Sequence, residues 1–512
     1  MAASIITRGS SSLESLTGRS RPKIQIDFAN QTEGLVNSYT TKDHIEGTVT
    51  IRVDHDTRFE DVEITFEGTA RTSVERAAYP GRTGAYQTFL KLRQPIDDAA
   101  YPTPRILESG RSYQFPFTFV VPDRLLPHAC SHSKTNAHVE RSHTLLPPTL
   151  GDPMLASNGK ALLDDMVPEM CQISYMIRVV VHRKPAGESG ARKALASAGK
   201  KVRIVPTVDE EPPLNVFEGE DVYCTRKEKN VKRGLMRGKL GRLVVAASQP
   251  RPVQLTAPQC ETKDSVGTVA TIHLRFDPVG SEAPPRLGSV WSRLRVSTFY
   301  SATPWEDYPS ALSATMWAQA GKSVYTETVP LSTLCVASAQ WTKHSVSSPV
   351  RRDSMESTSS SESLTGPSAS FAGSTYYTAS VVVPVSLPTS KAFVPTFHSC
   401  LISRMYTLDL SISYHTPNAN ILTPTASLRV PLQLTCQPRA DARSKHAVHE
   451  ITLEEVDAEF FSPRSVAPAA PSITSCESFP LAESNSIAPP PEYSEIRAPL
   501  LANEQPRRVA AG

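Results

Sequence analysis

Apolar residues return at every second position along much of this chain, beginning with Ile24, Ile26 and Phe28 against Lys23, Gln25 and Asp27. A period of two sends one set of side chains to a buried face and the other to water, so each such run predicts a half-buried β-strand. The pattern recurs at Val49, Ile51 and Val53, at Val62, Ile64 and Phe66, at Tyr113, Phe115, Phe117 and Phe119, and at Ile173, Tyr175, Ile177, Val179 and Val181. Pro116 interrupts the fourth run. Proline cannot donate to a ladder, so that strand is expected at a sheet edge or at a bulge. Helical periodicity is nearly absent here, and residues 22–210 read as one antiparallel β-sandwich.

A second set of runs covers 241–438: Leu243 and Val245, then Ala270 to Phe276, Leu294 and Val296, and the brief Val329 and Leu331 pair. Tyr406, Leu408, Leu410, Ile412 and Tyr414 form the cleanest strand, and Leu428, Val430, Leu432, Leu434 and Cys436 close the set. The fold class expected is therefore all-β, two tandem antiparallel β-sandwiches. Between them, residues 211–240 read as a linker. The basic stretch 226–242, which overlaps its end, carries Arg226, Lys227, Lys229, Lys232, Arg233, Arg237, Lys239 and Arg242 with Glu228 as the one acid. Such a hinge has a strong local positive field, suited to an acidic segment or an anionic membrane surface, where each cation adds about 1 kcal/mol. No aromatics are interleaved with these cations, so nucleic acid is not an expected partner.

Three stretches lack strand periodicity. Residues 1–21 read as a disordered N-terminal segment, 345–374 as a Ser-rich disordered insertion in the second sandwich, and 439–512 as a Pro-rich tail. Within the tail, Leu453, Val456 and Phe460 recur at helical spacing among acidic residues, so 450–461 is a candidate short helix.

Composition narrows the function classes. The 512 residues allow roughly two or three domains. Lys+Arg 54 against Asp+Glu 51 leaves a net charge of +3, with no global field to attract nucleic acid. The first twelve residues lack the apolar core of a signal peptide, and no apolar run approaches the roughly 18 residues of a membrane span, so a cytoplasmic protein is expected. Eight scattered cysteines suggest no disulfide framework.

Chemical constellations are incomplete in the sequence. His128, Cys130, His132, His138 and His143 lie close together, but their spacing matches no familiar structural-zinc pattern, and a polar loop is the preferred reading. Gly321-Lys322-Ser323 ends like a P-loop, yet Met316 stands where its first glycine should be. His398 and Cys400 lack an orienting third group, which favours a buried thiol over a nucleophile. No metal, cofactor or catalytic residue is therefore expected, and the protein is not expected to be an enzyme.

The tail contains Pro490-Pro491-Glu492-Tyr493, a complete PPxY sequence. Adjacent prolines pre-organise a polyproline II ridge for an aromatic groove, and Tyr493 supplies an amphipathic side chain for a second pocket of a WW domain. Upstream, Tyr39 to Gly47, Asp61 to Gly68 and Gly110 to Pro122 resemble an arrestin N-domain, and Pro395 to Tyr414 is similar to an arrestin C-domain of the fungal α-arrestin kind. The resemblance covers about 22–438. It implies an adaptor that links membrane-protein cargo, through the cytosolic tails of transporters or receptors, to a WW-domain HECT-type ubiquitin ligase for endocytosis or sorting. An alternative is an arrestin-fold sorting or plasma-membrane signalling scaffold in which the PPxY is secondary. It also implies peripheral recruitment to the plasma membrane or endosomes.

Two further sets of residues follow from the adaptor reading. No lysine occurs after Lys445, so ubiquitin on the adaptor is expected in flexible basic segments: Lys193, Lys200 and Lys201 in an Arg183–Arg203 insertion, and Lys227, Lys229, Lys232 and Lys239 in the hinge. Ser354, Ser357, Ser359, Ser360, Ser361 and Ser363 follow a basic pair and are expected phosphosites, each phosphate adding nearly two negative charges.

Overall fold

The computed structural model describes residues 21–29, 37–75, 81–152, 163–183, 192–211, 223–232, 238–256, 266–310, 321–345, 365–369, 371–416 and 423–437. In the N-terminal half the alternating runs form β1 (Lys23–Phe28), β2 (Ser38–Tyr39), β3 (His44–Arg52), β4 (Thr57–Arg58), β5 (Asp61–Glu75), β6 (Arg82–Arg93), β7 (Ile106–Leu107), β8 (Ser112–Val120), β9 (Cys171–Arg183) and β10 (Lys193–Ile204). A three-stranded sheet in the order β1-β3-β8 and a five-stranded sheet in the order β2-β10-β9-β5-β6 share one core. Ile45, Val49, Ile51 and Phe115 enter it from the smaller sheet, and Ile64, Phe66, Tyr175 and Ile177 from the larger. Phe66 and Phe119 meet across it with ring centroids 6.0 Å apart. β8 lies at the edge of its sheet, with Pro116 opposite Thr48, as the proline requires.

The C-terminal half comprises β11 (Arg226–Lys232), β12 (Lys239–Ala247), β13 (Val253–Leu255), β14 (Gly267–Pro278), β15 (Arg286–Ser301), β16 (Lys322–Cys335), β17 (Thr342–Ser345), β18 (Thr375–Ser386), β19 (Phe397–His398), β20 (Ile402–His415), β21 (Thr425–Leu432) and β22 (Leu434–Cys436). One sheet runs β11-β12-β14-β18-β17 and the other β16-β15-β20-β19, with β21 also on β20. Their inner faces bury Leu243, Val245, Ile272, Leu274, Leu294, Leu408 and Leu410 in a second core. Two short parallel pairs, β2 with β10 and β13 with β22, are added to the antiparallel ladders. Both sandwiches belong to one compact unit.

The basic segment expected as a hinge is a hairpin. β11 pairs antiparallel with β12, Lys227 opposite Val245 and Lys229 opposite Leu243, and Val231 is fully buried. Since β11 is a sheet edge, its lysines have a structural explanation: charge on an exposed edge discourages pairing with another chain. The Arg183–Arg203 stretch expected as a flexible insertion is likewise mostly β10, hydrogen-bonded to β9. Ala194, Ala196, Ala198 and Gly199 were too small to register as alternating apolar positions. β18 escaped the pattern for the opposite reason. Val381, Val383 and Val385 are buried while Val382 between them is 62% exposed, so valine occupies both faces and erases the contrast. The run expected as one closing strand divides at Gln433, β21 pairing with β20 and β22 with β13.

Packing around Gly47 shows how tightly the first sandwich is fitted. A Cβ there would lie 2.3 Å from the Asp27 carbonyl oxygen and 2.6 Å from Phe117 Cζ, which meets Phe28 edge-on at 6.1 Å. Gly47→Ala is expected to destabilise the protein by about 1–3 kcal/mol through overpacking. Gly199→Ala, whose nearest neighbour is Met176 Sδ at an ordinary 3.4 Å, serves as the tolerated control. Urea unfolding of the two variants against the parent measures the difference.

Candidate functional site

Side chains with chemical potential concentrate where the two sandwiches meet. From the first, a 3-10 turn at Pro127–Ala129 leads through Cys130 and His132 into helix α1 (Ala137–Thr144). Asn136 caps that helix, its side chain accepting from Val139 N at 3.0 Å. Gln87 Nε2 donates to the Ala129 carbonyl at 2.9 Å, and Lys134 Nζ to the Cys130 carbonyl at 2.7 Å. From the second sandwich, Cys400 lies in the turn joining β19 to β20, its carbonyl accepting from Trp305 N at 2.8 Å. Direct bonds hold the sides together. Thr135 N donates to the Glu306 carbonyl at 2.9 Å, Ser133 Oγ to Glu306 Oε1 at 3.0 Å, and the Ser142 and Tyr308 hydroxyls are 2.8 Å apart.

This framework places Cys130 Sγ 3.2 Å from His132 Nε2, 3.7 Å from His143 Nδ1 and 3.3 Å from Cys400 Sγ. All four ligand atoms lie within 4.8 Å of one another. Cys130, His143 and Cys400 are buried and His132 is half-buried. Burial, with His132 and Lys134 adding positive charge nearby, lowers the His143 pKa to about 4. Burial beside Cys130 pushes the Cys400 thiol up to about 12. His398, edge-on to Tyr308 at 4.7 Å, is lowered to about 3 by burial and by His143. Cys400, His143 and His398 are thus uncharged at neutral pH. A thiol held so far from ionisation is a poor nucleophile, but soft sulfur and imidazole donors gathered at this distance are suited to a metal. The neighbouring His128 and His138 are exposed and stay outside the group.

A polar node lies nearby in the same seam. Arg404, on β20, is completely buried, and its Nη2 donates to the carbonyls of Asp165 at 3.1 Å and Met166 at 3.3 Å. Met166 adopts φ 56°, a left-handed conformation uncommon for a side chain of its size, with its N–H donating to Asp164 Oδ1 at 2.8 Å. Burial raises the Asp165 carboxyl pKa, opposed by the Gly151 N–H and by Arg404. Lys391 adds an ion pair to Asp164 at 2.5 Å.

The basic hairpin is less open than its composition suggests. Glu228 pairs with Arg226 at 2.8 Å and with Arg242 at 3.0 Å, and Lys229 donates to the Thr425 carbonyl. Lys227, Lys232 and Lys239 are exposed, whereas Arg233 and Arg237 lie outside the described residues. On β10, Lys193 is exposed, but Lys200 donates to the Ile26 carbonyl at 2.8 Å over the Phe28 ring, and Lys201 pairs with Asp152 at 2.5 Å. Gly321-Lys322-Ser323 opens β16 rather than a helix, with the Lys322 ammonium over Trp305 at 4.8 Å. The six candidate phosphoserines, the 450–461 segment and Pro490, Pro491 and Tyr493 lie outside the described residues. No helix among the described residues is long and apolar enough to cross a membrane.

Residues 24–209, from β1 past β10, match the family model described as Arrestin (or S-antigen), N-terminal domain. No curated protein matches the chain.

The Lys201–Asp152 pair gives a direct test of how β10 is held. The Asp152 side chain is fully buried, and Lys201 is about a quarter exposed, so removing the ammonium takes the ion-pair partner at 2.5 Å from a buried carboxylate. Lys201→Ala is expected to cost about 3 kcal/mol in urea unfolding, and Lys232→Ala, at an exposed position of β11, about 0.5 kcal/mol or less.

Proposed function

We propose that this chain, whose first sandwich matches an arrestin N-terminal domain, is an arrestin-family adaptor of the fungal α-arrestin kind. It joins the cytosolic tails of membrane transporters or receptors to a WW-domain HECT-type ubiquitin ligase, so that cargo is ubiquitinated and removed from the membrane. The observation carrying this reading is the combination of that domain, followed by a second β-sandwich, with Pro490-Pro491-Glu492-Tyr493 in the same chain. A folded body that docks cargo and a short peptide that docks a ligase need no catalytic centre of their own. The protein then works from the cytoplasm and is recruited to the plasma membrane or endosomes.

Geometry refines the two accessory sets. Among the proposed ubiquitin acceptors, Lys193, Lys227, Lys232 and Lys239 are exposed, whereas Lys200, Lys201 and Lys229 are half-buried. The first four are therefore the favoured acceptors, and exposed cations of the hairpin also favour an acidic cargo tail or anionic lipid. The Ser-rich insertion ends against this hairpin. Arg226 Nη2 donates to the carbonyls of Gly366 at 3.4 Å and Pro367 at 3.3 Å, and Glu228 Oε2 accepts from Ala369 N at 3.4 Å. Ser363 is three residues from Gly366, at most about 11 Å of extended chain. Phosphate there, or on the serines from Ser354 to Ser361, would neutralise the hairpin and compete with cargo.

Calorimetry with a WW domain tests the ligase link. Tyr493→Ala or Pro491→Ala is expected to weaken binding by roughly 2 kcal/mol or more while unfolding of the sandwiches is unchanged. Equal affinity for parent and variants would refute the reading. For the regulatory part, alanine at Ser354, Ser357, Ser359, Ser360, Ser361 and Ser363 is expected to make cargo ubiquitination constitutive. A variant regulated like its parent would show the insertion to be passive.

A further inference from the structure

We propose that Cys130, His132, His143 and Cys400 bind one zinc ion that fastens the first sandwich to the second. Tetrahedral zinc with bonds of about 2.3 Å to sulfur and about 2.0–2.1 Å to imidazole nitrogen requires ligand atoms about 3.3–3.8 Å apart. From Cys130 Sγ the separations are 3.2, 3.3 and 3.7 Å, and all four ligand atoms lie within 4.8 Å of one another, so side-chain shifts of about 1 Å or less bring them to that spacing. Two sulfurs and two nitrogens form a closed structural set, with no position left for substrate. Thiolates and imidazoles in this geometry select zinc over the hard cations calcium and magnesium.

The surroundings of the cluster agree with that assignment. His132 Nδ1 lies 2.9 Å from the Ser133 carbonyl, which places the ring proton on Nδ1 and leaves the Nε2 lone pair directed at Cys130 Sγ. His143 is presented by a capped helix, and Cys130 and Cys400 each have a main-chain carbonyl fixed by a hydrogen bond. Binding replaces the two thiol protons, which leave to solvent, so that Zn2+ with two thiolates and two neutral imidazoles is electrically neutral and tolerable in a buried place. Zinc also gives the buried sulfurs a partner that neutral thiols, weak donors and weak acceptors, cannot replace.

The ligands span both halves of the chain. Cys130 and Cys400 are 270 positions apart, so the ion closes a very long loop and cross-links a turn and a helix of the first sandwich to the β19–β20 turn of the second. Its loss should loosen the attachment of α1 to residues 306–308, leaving both cores intact.

Elemental analysis of the full-length chain, purified reduced and without chelator, is expected to find one zinc per chain. Replacement by Co2+ should give the absorption of tetrahedral cobalt together with a thiolate-to-cobalt charge-transfer band. Cys130→Ser and Cys400→Ser should lose most of the metal, Cys130→His should retain it because imidazole replaces thiolate, and Cys335→Ser, an exposed cysteine elsewhere, should behave like the parent. If the serine variants fail to fold, cobalt titration of the reduced parent after chelation decides the matter. A reduced parent that neither holds zinc nor takes up Co2+ overturns the proposal. So does a native peptide map in which Cys130 and Cys400 are joined as a disulfide, two hydrogens lighter.

Discussion

One strand serves both hydrophobic cores. β20 begins with Ile402, buried among the residues of the first sandwich, and continues through Tyr406, Leu408, Leu410, Ile412 and Tyr414, buried in the second. Each such side chain contributes about 1.5–3 kcal/mol by leaving water, so the two sandwiches cannot part without re-exposing one end of a strand that the other holds in register. Neighbouring segments repeat the arrangement. Tyr300, Val394, Phe397 and Leu401 pack into the first core, and Met166 of the first half packs into the second. The Thr72 hydroxyl donates to the Ser301 carbonyl at 2.6 Å along the same seam.

Continuity of packing explains why polar chemistry collects there. A seam between two sandwiches brings backbone ends and turns together, and their carbonyls need donors that apolar side chains cannot supply. Arg404 meets this need from inside β20 by bonding the carbonyls of a loop in a left-handed turn. The Cys/His group occupies the same boundary, among the turn after Ala129, helix α1 and the turn before Ile402. Surface cations behave differently. On the β11–β12 edge Lys227, Lys232 and Lys239 are exposed, where solvent screens them and partners can reach them, while Arg226 and Arg242 pair with Glu228 and Lys229 bonds the Thr425 carbonyl. The protein therefore separates a rigid interior joint from an accessible charged edge, and the proposed adaptor needs both: a body that keeps its shape and a surface whose charge can be changed.

Legibility in the sequence followed the contrast between the two faces of each strand. β5, β8, β9 and the greater part of β20 alternate apolar with polar residues over long runs, and a local period of two is sufficient to place them. Where small residues or charge pairs replaced the apolar face, the local signal failed. β10 carries Ala194, Ala198 and Gly199 against β9, and β11 keeps only Val231 in the core, so both looked like flexible basic chain. Ladder hydrogen bonds to a well-formed neighbour hold these strands, and that neighbour's register is not written in their own side chains. Charge on β11 was visible from the start; its meaning as edge protection required knowing that β12 covers only one side.

The candidate site divides along the same line. Pro490-Pro491-Glu492-Tyr493 is a peptide whose recognition chemistry is carried by adjacent residues, so it is complete in the sequence, as are the all-β class and the strand-rich halves. Cys130, His132 and His143 are visible as a group in the sequence, but their spacing alone does not make a four-ligand set, and Cys400 stands beside His398, 270 positions away from Cys130. Tertiary structure supplied the pairing, because the β19–β20 turn meets Cys130 where the two sandwiches pack together. Local periodicity determines which residues face a core. Which two turns meet across a seam is decided by how the finished cores bury each other.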